Sequence, residues 1–316
     1  MIETLLEHPL IDDFKALKVH DYIAMRKKHY PDKNEDFSQI ESFQTIIMLS
    51  LSYPKEQVKF KGKGHGLLAR YTYGKDYHKV FYELFDTLEK QFSSFGIKAK
   101  GYADVSPLDE RFAAFLAGLG YIGKNQLLIH PNYGTYHFLG ALLIDKAFNT
   151  VPYVEDSCGD CTLCIEACPP GALSTEGYNE RLCTSYVTQM KIALNQDDRK
   201  PMKVMMFGCD ICQRVCPKNK AITFTSRDLF LPDEASQLNL SELLTLSNKE
   251  IMRRYQNYAF TFRGGLVLKR NAIILLANQR QYDQLPLIKT VYEQYKHVPW
   301  FQETTQQIIE EMEKNA

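Results

Sequence analysis

Short apolar runs and helical apolar spacing alternate along residues 1–150, and this pattern predicts an α/β unit. Four runs predict strands, at Thr45–Leu51, Ile97–Ala103, Gln126–His130 and Tyr136–Ile144. A helix is expected after Asp76, because large apolar residues recur there at the spacing of one helical face: Phe81, Leu84, Phe85, Leu88 and Phe92.

A second helix is predicted between the second and third of these strands. Ser106-Pro107-x-Asp109 has the form of a helix start, with a capping serine, a proline in the first turn and an acid at the third position. The buried face of this helix is expected to comprise Phe112, Phe115, Leu116 and Leu119. Gly118-x-Gly120-x-x-Gly123 matches the letters of a dinucleotide fingerprint, but that fingerprint follows a strand and opens a helix. We therefore expect a sharp helix exit, with Lys124 and Asn125 facing a site.

The last 90 residues or so are predicted to be helical by the same periodicity. Two stretches at the starts of these helices, Arg263-Gly264-Gly265 and Lys269-Arg270-Asn271, combine amides with cations in a way that suits phosphate. A helix pair of this length is similar to one HEAT-type repeat, which must bury its apolar face against a neighbour. The predicted helices are Glu242–Tyr255, Leu266–Gln279, Gln284–Tyr295 and Gln302–Lys314.

All eight cysteines of the chain lie between residues 158 and 216. The first run, Cys158-x2-Cys161-x2-Cys164-x3-Cys168-Pro169, has the spacing that holds iron–sulfur clusters in bacterial-type ferredoxins. The second run, Cys209-x2-Cys212-x3-Cys216-Pro217, lacks a first cysteine, and Cys183 can supply it from upstream. Zinc explains single pairs better than two runs closed by Cys-Pro, and a disulfide framework needs an oxidising compartment. Eight thiolates are the ligand count of two [4Fe–4S] clusters, so the sequence indicates a protein that moves electrons.

The division of ligands follows by analogy with two-cluster ferredoxins, in which the last cysteine of each run completes the other cluster. One cluster is expected on Cys158, Cys161, Cys164 and Cys216. The other is expected on Cys168, Cys183, Cys209 and Cys212.

Charge is balanced overall and uneven locally. Lys and Arg together number 38, as do Asp and Glu, so no net charge draws the chain to nucleic acid. Basic residues concentrate at Lys55–Lys79 and Lys249–Arg280, where they could bind phosphate backbones or simply form solvated helix faces. No signal peptide or membrane-spanning run is evident, so we expect a cytoplasmic protein, and nothing requires more than a monomer.

Asp104 is the candidate catalytic residue of the first 150 residues. It follows the second predicted strand and precedes the capped helix, and such strand ends are frequent active-site positions in α/β folds. An aspartate at this place can also be a turn or cap residue. His78 falls early in the first predicted helix, where we expect a structural role, and His130 and His137 are expected to face a polar cavity.

Six motifs together carry a resemblance to a known family. They are GKDYH (Gly74–His78), YADVSPLDER (Tyr102–Arg111), AGLGYIGKNQLLI (Ala117–Ile129), CGDCTLCIEACPPGAL (Cys158–Leu173), GCDICQRVCPKNK (Gly208–Lys220) and RGGLVLKRNAI (Arg263–Ile273). In this order, and over nearly the whole chain, the sequence resembles the epoxyqueuosine reductases, which complete queuosine biosynthesis. It looks like a short form with about one HEAT repeat.

The resemblance implies an α+β multidomain fold and a two-electron reduction. Residues 1–150 would form a nitroreductase-like α/β cobalamin-binding domain, residues 151–225 a ferredoxin-like domain with two [4Fe–4S] clusters, and residues 226–316 HEAT-like helices that contact tRNA. Epoxyqueuosine at the wobble position of a tRNA would lose its oxygen as water. Electrons would pass from an unidentified low-potential donor through the clusters to cobalamin, and the order of steps at cobalt stays open.

The resemblance also implies roles for individual residues. Asp104 would be the proton donor, with a pKa raised by burial under cofactor and substrate. Cobalamin would contact Asp104 and a further set matched residue by residue: Ala69, Leu128, Leu139, Thr188, Asp210 and Ile211. Contacts to tRNA would be made by Lys191, Arg263, Lys269 and Arg270.

Two other functions stay open at this point. A two-cluster electron-transfer subunit would bind no corrinoid and would leave the α/β domain without a task. A cobalamin-dependent reductase of a small molecule, similar to reductive dehalogenases, would share both cofactors but would not need a basic helical tail.

Overall fold

The computed structural model describes residues 1–150, 156–222 and 227–315. Contacts divide the chain into two units, and each unit is discontinuous in sequence. The first unit comprises Met1–Tyr53, Tyr77–Thr162 and Cys216–Ser226, and the second comprises Pro54–Asp76, Leu163–Val215 and Arg227–Ala316. Both units combine helices with strands, which confirms a mixed α+β fold. The three-domain division at residues 150 and 225 stays a prediction.

Strands and helices alternate along the described residues. The strands are β1 (Asp13–Lys18), β2 (Thr45–Ser52), β3 (His65–Leu68), β4 (Ala99–Tyr102), β5 (Tyr121–Ile122), β6 (Leu128–Ile129), β7 (His137–Ile144), β8 (Met205–Phe207) and β9 (Gln237–Asn239). The helices are α1 (Ile2–Leu5), α2 (Val19–His29), α3 (Tyr77–Ser94), α4 (Glu110–Ala117), α5 (Leu163–Glu166), α6 (Thr184–Val187), α7 (Gln196–Arg199), α8 (Ile211–Arg214), α9 (Leu240–Thr245), α10 (Asn248–Arg254), α11 (Gly265–Asn278), α12 (Leu285–Tyr295) and α13 (Pro299–Asn315). No helix in these ranges is long and apolar enough to cross a bilayer.

The first unit is built on a four-stranded antiparallel sheet in the order β1-β2-β7-β4. Every residue of β2 is buried, as expected for a central strand covered on both faces. Ile46 and Met48 share a core with α2 and α4 on one face. On the other face, α3 places Phe81 and Phe85 against Gly140 and Gly101. Strand alternation and helical periodicity together therefore give a layer of helix on each side of the sheet.

The predicted elements of this unit are confirmed, with one helix start corrected. The four predicted strands correspond to β2, β4, β6 and β7, and α3 buries all five predicted apolar residues. The predicted cap Ser106 is wrong, because Asp109 caps α4 by accepting from the Phe112 N–H, while Ser106 accepts from the Leu108 N–H. Phe115 is 37% exposed and does not belong to the buried face. The sharp helix exit is confirmed at Gly118, whose φ of +83° suits glycine.

The second unit is organised around α11. Its sheet has the order β8-β3-β9, with β3 parallel to β8 and antiparallel to β9. Nearly all of α11 is buried, including its charged residues, and α9, α10, α13 and β8 pack around it. A helix that is apolar almost all round takes this central position because no face of it suits water.

One predicted helix of the second unit is two helices. The stretch Glu242–Tyr255 is interrupted after Thr245, and Ser247 caps α10. The Ser247 side chain accepts from the Glu250 N–H at 3.2 Å and the Glu250 carboxylate accepts from the Ser247 N–H at 2.7 Å, which is a capping box. The other three predicted helices are confirmed as α11, α12 and α13. Their arrangement as a HEAT-type repeat stays a prediction.

Candidate active site

Asp104 lies just beyond β4 on a distorted turn of the first unit. The Val105 N–H donates to the Ala103 carbonyl at 2.7 Å, which closes a γ-turn centred on Asp104. The φ of Asp104 is +59°, and a γ-turn with positive φ at its centre is rare and strained. The Asp104 N–H donates to Glu110 Oε1 at 2.9 Å. The backbone at this candidate residue is therefore held away from its relaxed conformation.

Tyr77 and His78, the first two residues of α3, both contact the Asp104 carboxylate. His78 Nε2 lies 2.7 Å from Asp104 Oδ2, and the Tyr77 hydroxyl donates to the same oxygen. The Tyr77 ring stacks on His78 with a centroid distance of 4.0 Å and on Phe138 of β7 at 4.2 Å. The predicted structural role of His78 is thus incomplete, because its imidazole also meets the candidate catalytic carboxyl. A histidine in an amphipathic helix gave no sign of this partner.

The surroundings of Asp104 shift the pKa values of two neighbouring carboxyl groups in opposite directions. Burial acts to raise the pKa of Asp104, but hydrogen bonds from His78 and Tyr77 and the charge of His78 outweigh it, so the pKa lies below its usual value. Burial and the negative charge of Asp104 raise the pKa of Glu110 to about 8. The chain's own residues therefore do not supply the raised pKa expected at Asp104. Glu110, which sequence reasoning missed, carries it.

The other two histidines considered in the sequence, His130 and His137, have partners other than Asp104. His130 Nε2 lies 2.9 Å from Asp13 Oδ2. His137 is buried, with Nδ1 3.0 Å from Ser50 Oγ, and burial followed by the charge of His130 lowers its pKa to about 3. A neutral, fully enclosed imidazole between strands β2 and β7 is a packing group.

Leu128 and Leu139 occupy different environments in the first unit. Leu128 in β6 is buried in the core shared with α4, whereas Leu139 in β7 is only partly buried against that core. An aliphatic cofactor contact is therefore more accessible at Leu139, and the buried Leu128 offers chiefly its backbone.

Four of the predicted cofactor-binding residues meet in the second unit, where β3 and β8 end side by side. The Ala69 N–H donates to the Phe207 carbonyl at 3.0 Å, and the Gly208 N–H donates to Thr188 Oγ1 at 2.9 Å. Asp210, directly before Ile211 and α8, is buried and accepts from Arg70 Nη1 at 2.7 Å. Asp210 Oδ1 has no hydrogen-bond partner among the described residues.

Gly208 lets these strand ends approach closely. Its φ is +71°, and a Cβ there would lie 2.7 Å from the Ala69 Cβ and from the Tyr71 side chain. Both the backbone conformation and the available space therefore require glycine at position 208, directly before the second cysteine run.

Two of the three cysteines in the first unit pack against Tyr121. Cys158 and Cys216 pack with Tyr121 and Ile129. The Lys124 N–H lies 3.5 Å from Cys158 Sγ, so the predicted site beside the glycine turn is at the cysteines. The Tyr121 hydroxyl is buried beside Cys158, and burial and this neighbour raise its pKa. Burial likewise raises the pKa of Cys216.

Five further cysteines belong to the second unit: Cys164, Cys168, Cys183, Cys209 and Cys212. Burial raises the pKa of Cys212, and the other four thiolates raise it further. Burial also raises the pKa of Cys209 to about 12. Thiols gathered in this way ionise readily only beside a positive centre. All eight cysteines are free, so no disulfide framework is present.

The four predicted tRNA contacts divide into two exposed and two buried cations. Lys191 and Arg263 are exposed, and the Arg263 guanidinium lies 4.8 Å from the centroid of Phe262, which is 59% exposed. Lys269 and Arg270 are 1% and 0% exposed. The prediction that these two residues bind tRNA directly is wrong, because both side chains are buried in the packing around α11 and cannot contact a phosphate.

Arg270 instead supports the segment that carries Thr188 and Lys191. Its guanidinium donates to the backbone carbonyls of Val187, Met190 and Ile192 at 2.5–3.1 Å. These carbonyls lie at and beyond the end of α6, where helical partners are missing. Asn271 adds donations to the Thr188 and Met206 carbonyls at 2.7 and 2.8 Å.

The chain matches two family models and several curated proteins. Residues 38–105 match a model described as "Epoxyqueuosine reductase QueG, DUF1730", and residues 157–219 match a "4Fe-4S double cluster binding domain". The epoxyqueuosine reductase of Staphylococcus aureus is 34% identical over 266 residues, covering 82% of this chain and 70% of that protein. That of Listeria monocytogenes is 33% identical over 292 residues, covering 90% and 75%.

Solved structures are similar over almost the whole chain. A crystal structure of epoxyqueuosine reductase with an epoxyqueuosine-modified tRNA-Tyr stem loop superposes with a TM-score of 0.85 and 28% identity, covering 98% of this chain and 90% of that one. A Bacillus subtilis epoxyqueuosine reductase, in which a catalytic aspartate loop is swung out of the active site, gives the same TM-score, identity and coverage.

Proposed function

Because this chain belongs to the epoxyqueuosine reductase family and is an oxidoreductase, we propose that it converts epoxyqueuosine in tRNA to queuosine. The observation that carries the proposal is the hydrogen-bonded cluster of Tyr77, His78 and Asp104, which two family-like motifs bring together. The tRNA stem loop bound to a structural relative supports the substrate, and a tRNA substrate supports action in the cytoplasm. The catalytic aspartate loop of the Bacillus subtilis relative supports a role for the turn at Asp104.

Two [4Fe–4S] clusters are proposed as the entry for electrons from a low-potential donor. Their ligands would be Cys158, Cys161, Cys164 and Cys216 for one cluster, and Cys168, Cys183, Cys209 and Cys212 for the other. The donor set fits, because the eight cysteines are free thiols and the match to a double-cluster model spans them all. The buried Tyr121 hydroxyl beside Cys158 also fits, since cluster sulfurs accept hydrogen bonds.

Cobalamin is the proposed second cofactor, bound by a nitroreductase-like domain that includes the sheet of the first unit. The residues proposed to hold it are Ala69, Asp104, Leu128, Leu139, Thr188, Asp210 and Ile211. Asp210 Oδ1 fits a ligand rimmed with amide groups, because it is a buried acceptor without a hydrogen-bond donor among the described residues, although Arg214 Nε lies 3.6 Å away. When bound, the cofactor supplies a cobalt centre that delivers electrons to the substrate.

The proposed reaction consumes two electrons and two protons, because the epoxide oxygen leaves as water and an alkene remains. Asp104 would protonate the departing oxygen, which a general acid within hydrogen-bond reach can do. Its pKa in the chain is low, so His78 and Tyr77, which share its Oδ2, are placed to resupply the proton. The Asp104 side chain is 47% exposed, and a ligand that covers it would raise its pKa by desolvation.

Binding of tRNA is proposed on the exposed cations Lys191 and Arg263. The target base must leave the anticodon loop to reach the reaction centre, as enzymes that act on bases generally require. Phe262, exposed beneath the Arg263 guanidinium, offers an aromatic face for an unstacked base. Arg270 and Lys269 would contribute by holding the scaffold of these contacts in place.

The proposal is tested by single-turnover deoxygenation. Protein purified without oxygen is supplied with cobalamin, a strong reductant and tRNA carrying epoxyqueuosine, and nucleosides are analysed by mass for loss of one oxygen. We expect conversion that needs cobalamin and that slows by about 10²-fold or more in Asp104→Asn, because general acid catalysis has that magnitude. His78→Gln should give an intermediate rate.

Two results would contradict the proposal in different ways. No conversion by protein with intact clusters and bound cobalamin would favour the small-molecule reductase. Conversion at the wild-type rate in Asp104→Asn would remove the aspartate from the mechanism while leaving the activity.

A further inference from the structure

We propose that Glu110 is a positioning residue, whose carboxyl group clamps the Asp104 backbone so that the Asp104 side chain meets Tyr77 and His78. The inference rests on the proposed function, because it assigns a task to Glu110 within that catalytic cluster. The contact that carries it is the hydrogen bond from the Asp104 N–H to Glu110 Oε1 at 2.9 Å.

The hydrogen bonds of Tyr77 and His78 hold the Asp104 side chain, and the backbone of the turn needs a support of its own. A non-glycine residue with positive φ at the centre of a γ-turn relaxes unless its surroundings fix it. Val105, the next residue, is 72% exposed, so its side chain packs weakly. The hydrogen bond to Glu110 therefore replaces the packing that usually holds a strained residue.

Glu110 is itself fixed by the start of α4. The preceding residue, Asp109, caps the helix, donates its N–H to the Tyr22 hydroxyl at 2.8 Å and pairs with the buried Arg26 at 3.0 Å. Glu110 is the first helical residue after this cap. A rigid helix start on one side and the sheet strand β4 on the other thus span the turn that carries Asp104.

A carboxyl group suits position 110 because its surroundings favour the neutral form. Asp104, Asp109 and His78 are the charged groups that act on Glu110, and burial with the charge of Asp104 favours the neutral form. A neutral carboxyl keeps an acceptor oxygen for the Asp104 N–H and adds no second negative charge beside the catalytic carboxylate. Glutamine keeps the same acceptor, whereas alanine removes it.

The test compares Glu110→Ala and Glu110→Gln in the cluster-loaded protein with cobalamin. Hydrogen exchange of the Asp104 amide reports the clamp directly, and single-turnover deoxygenation reports its consequence. In Glu110→Ala we expect exchange at Asp104 to accelerate by about tenfold or more, since loss of a local hydrogen bond lowers protection. The single-turnover rate should fall by about 10–100-fold, because small misplacements of a catalytic group have that effect.

Glu110→Gln should restore both quantities to within about threefold of wild type, and the tRNA dissociation constant should change by less than about twofold in both variants. Glu250→Ala is the matched control, because Glu250 also serves the first turn of a helix but lies in the second unit. It should leave Asp104 exchange unchanged.

Three outcomes would overturn the proposal. They are unchanged Asp104 exchange in Glu110→Ala, equal loss of rate in the alanine and glutamine variants, and a rate in Glu110→Ala equal to wild type. Absence of turnover in the wild-type protein would instead contradict the proposed function, and the exchange measurement would still decide whether the clamp exists.

Discussion

Two glycines in the first unit's sheet receive two phenylalanines of α3, and this fit can be broken and restored by mutation. A Cβ on Gly140 would lie 2.3 Å from Phe81 Cε1, and a Cβ on Gly101 would lie 2.0 Å from Phe85 Cγ. Because α3 begins with Tyr77 and His78, its seating on these glycines also sets where those side chains meet Asp104.

The magnitudes follow from the packing around these glycines. Gly140→Ala inserts a methyl group within 3.0 Å of three Phe81 ring atoms. Overpacking costs about 1–3 kcal/mol, and removing glycine from a strand regains about 0.5–1 kcal/mol, so we expect a net loss of about 2 kcal/mol for this severe overlap. Phe81→Leu alone should cost roughly 1.5 kcal/mol, below the range for truncation to alanine. If the methyl fills the vacated space, the double variant should lose only about 1.5 kcal/mol, a coupling of roughly 2 kcal/mol.

The assay is urea unfolding of the anaerobic protein, with both glycines crossed against both phenylalanines. Phe81→Leu should rescue Gly140→Ala but not Gly101→Ala, because leucine lacks the Cε1 and Cζ atoms that crowd position 140. Phe85→Leu should rescue neither glycine variant, because leucine keeps the Cβ and Cγ atoms that crowd position 101. The pair Gly140→Ala with Phe81→Leu should therefore couple, while the two crossed pairs add within about 0.5 kcal/mol. Equal coupling in all four pairs, or unchanged stability of Gly140→Ala, would refute the proposed fit.

Three further predictions concern protons, tRNA and electrons. The folded-state pKa of Glu110, about 8, exceeds its usual 4.5, so the free energy of unfolding should fall as pH rises from 5 to 8. In urea unfolding, Glu110→Gln should lose roughly 2–4 kcal/mol less of this free energy than the wild type over that range, and parallel curves for the two proteins would contradict the prediction. Changing Lys191 and Arg263 to Met should raise the tRNA dissociation constant. It should also reduce the dependence of log affinity on log salt concentration by about one for each phosphate that is no longer neutralised, and an unchanged slope would exclude these two residues as phosphate contacts. Tyr121→Phe should lower the reduction potential of the proposed cluster at Cys158 by roughly 20–60 mV, the equivalent of one hydrogen bond, in a titration followed by electron paramagnetic resonance. An unchanged potential would exclude a hydrogen bond from Tyr121 to that cluster.

Strong local patterns made most of the long elements predictable. The apolar face of α3 and the continuous run of β2 report burial that neighbouring residues already dictate. The edge strand β1 was missed because its residues, DFKALK, mix charged with apolar positions. Strand β8 is three residues long, and its pairing with β3 joins distant parts of the chain, which no local pattern records.

The candidate site was predictable only where a motif marked it. The cysteine spacing and the family-like segment around Asp104 pointed to chemistry, but the contacts with His78 and Glu110 depend on how α3, β4 and α4 are placed. The error at Lys269 and Arg270 had a visible warning, because α11 is apolar on almost every side and such a helix is buried.

The interleaving of the two units has a consequence for how the protein is made. Strand β3, near residue 65, pairs with β8 and β9, so its sheet stays incomplete until residue 239 has been synthesised. Pairing over such separations is slow, and all eight thiols leave the ribosome before it can finish. The nascent chain therefore passes through a stage in which its cysteines are present but not yet arranged. Thiols that are exposed in this way are open to oxidation and to metals other than iron.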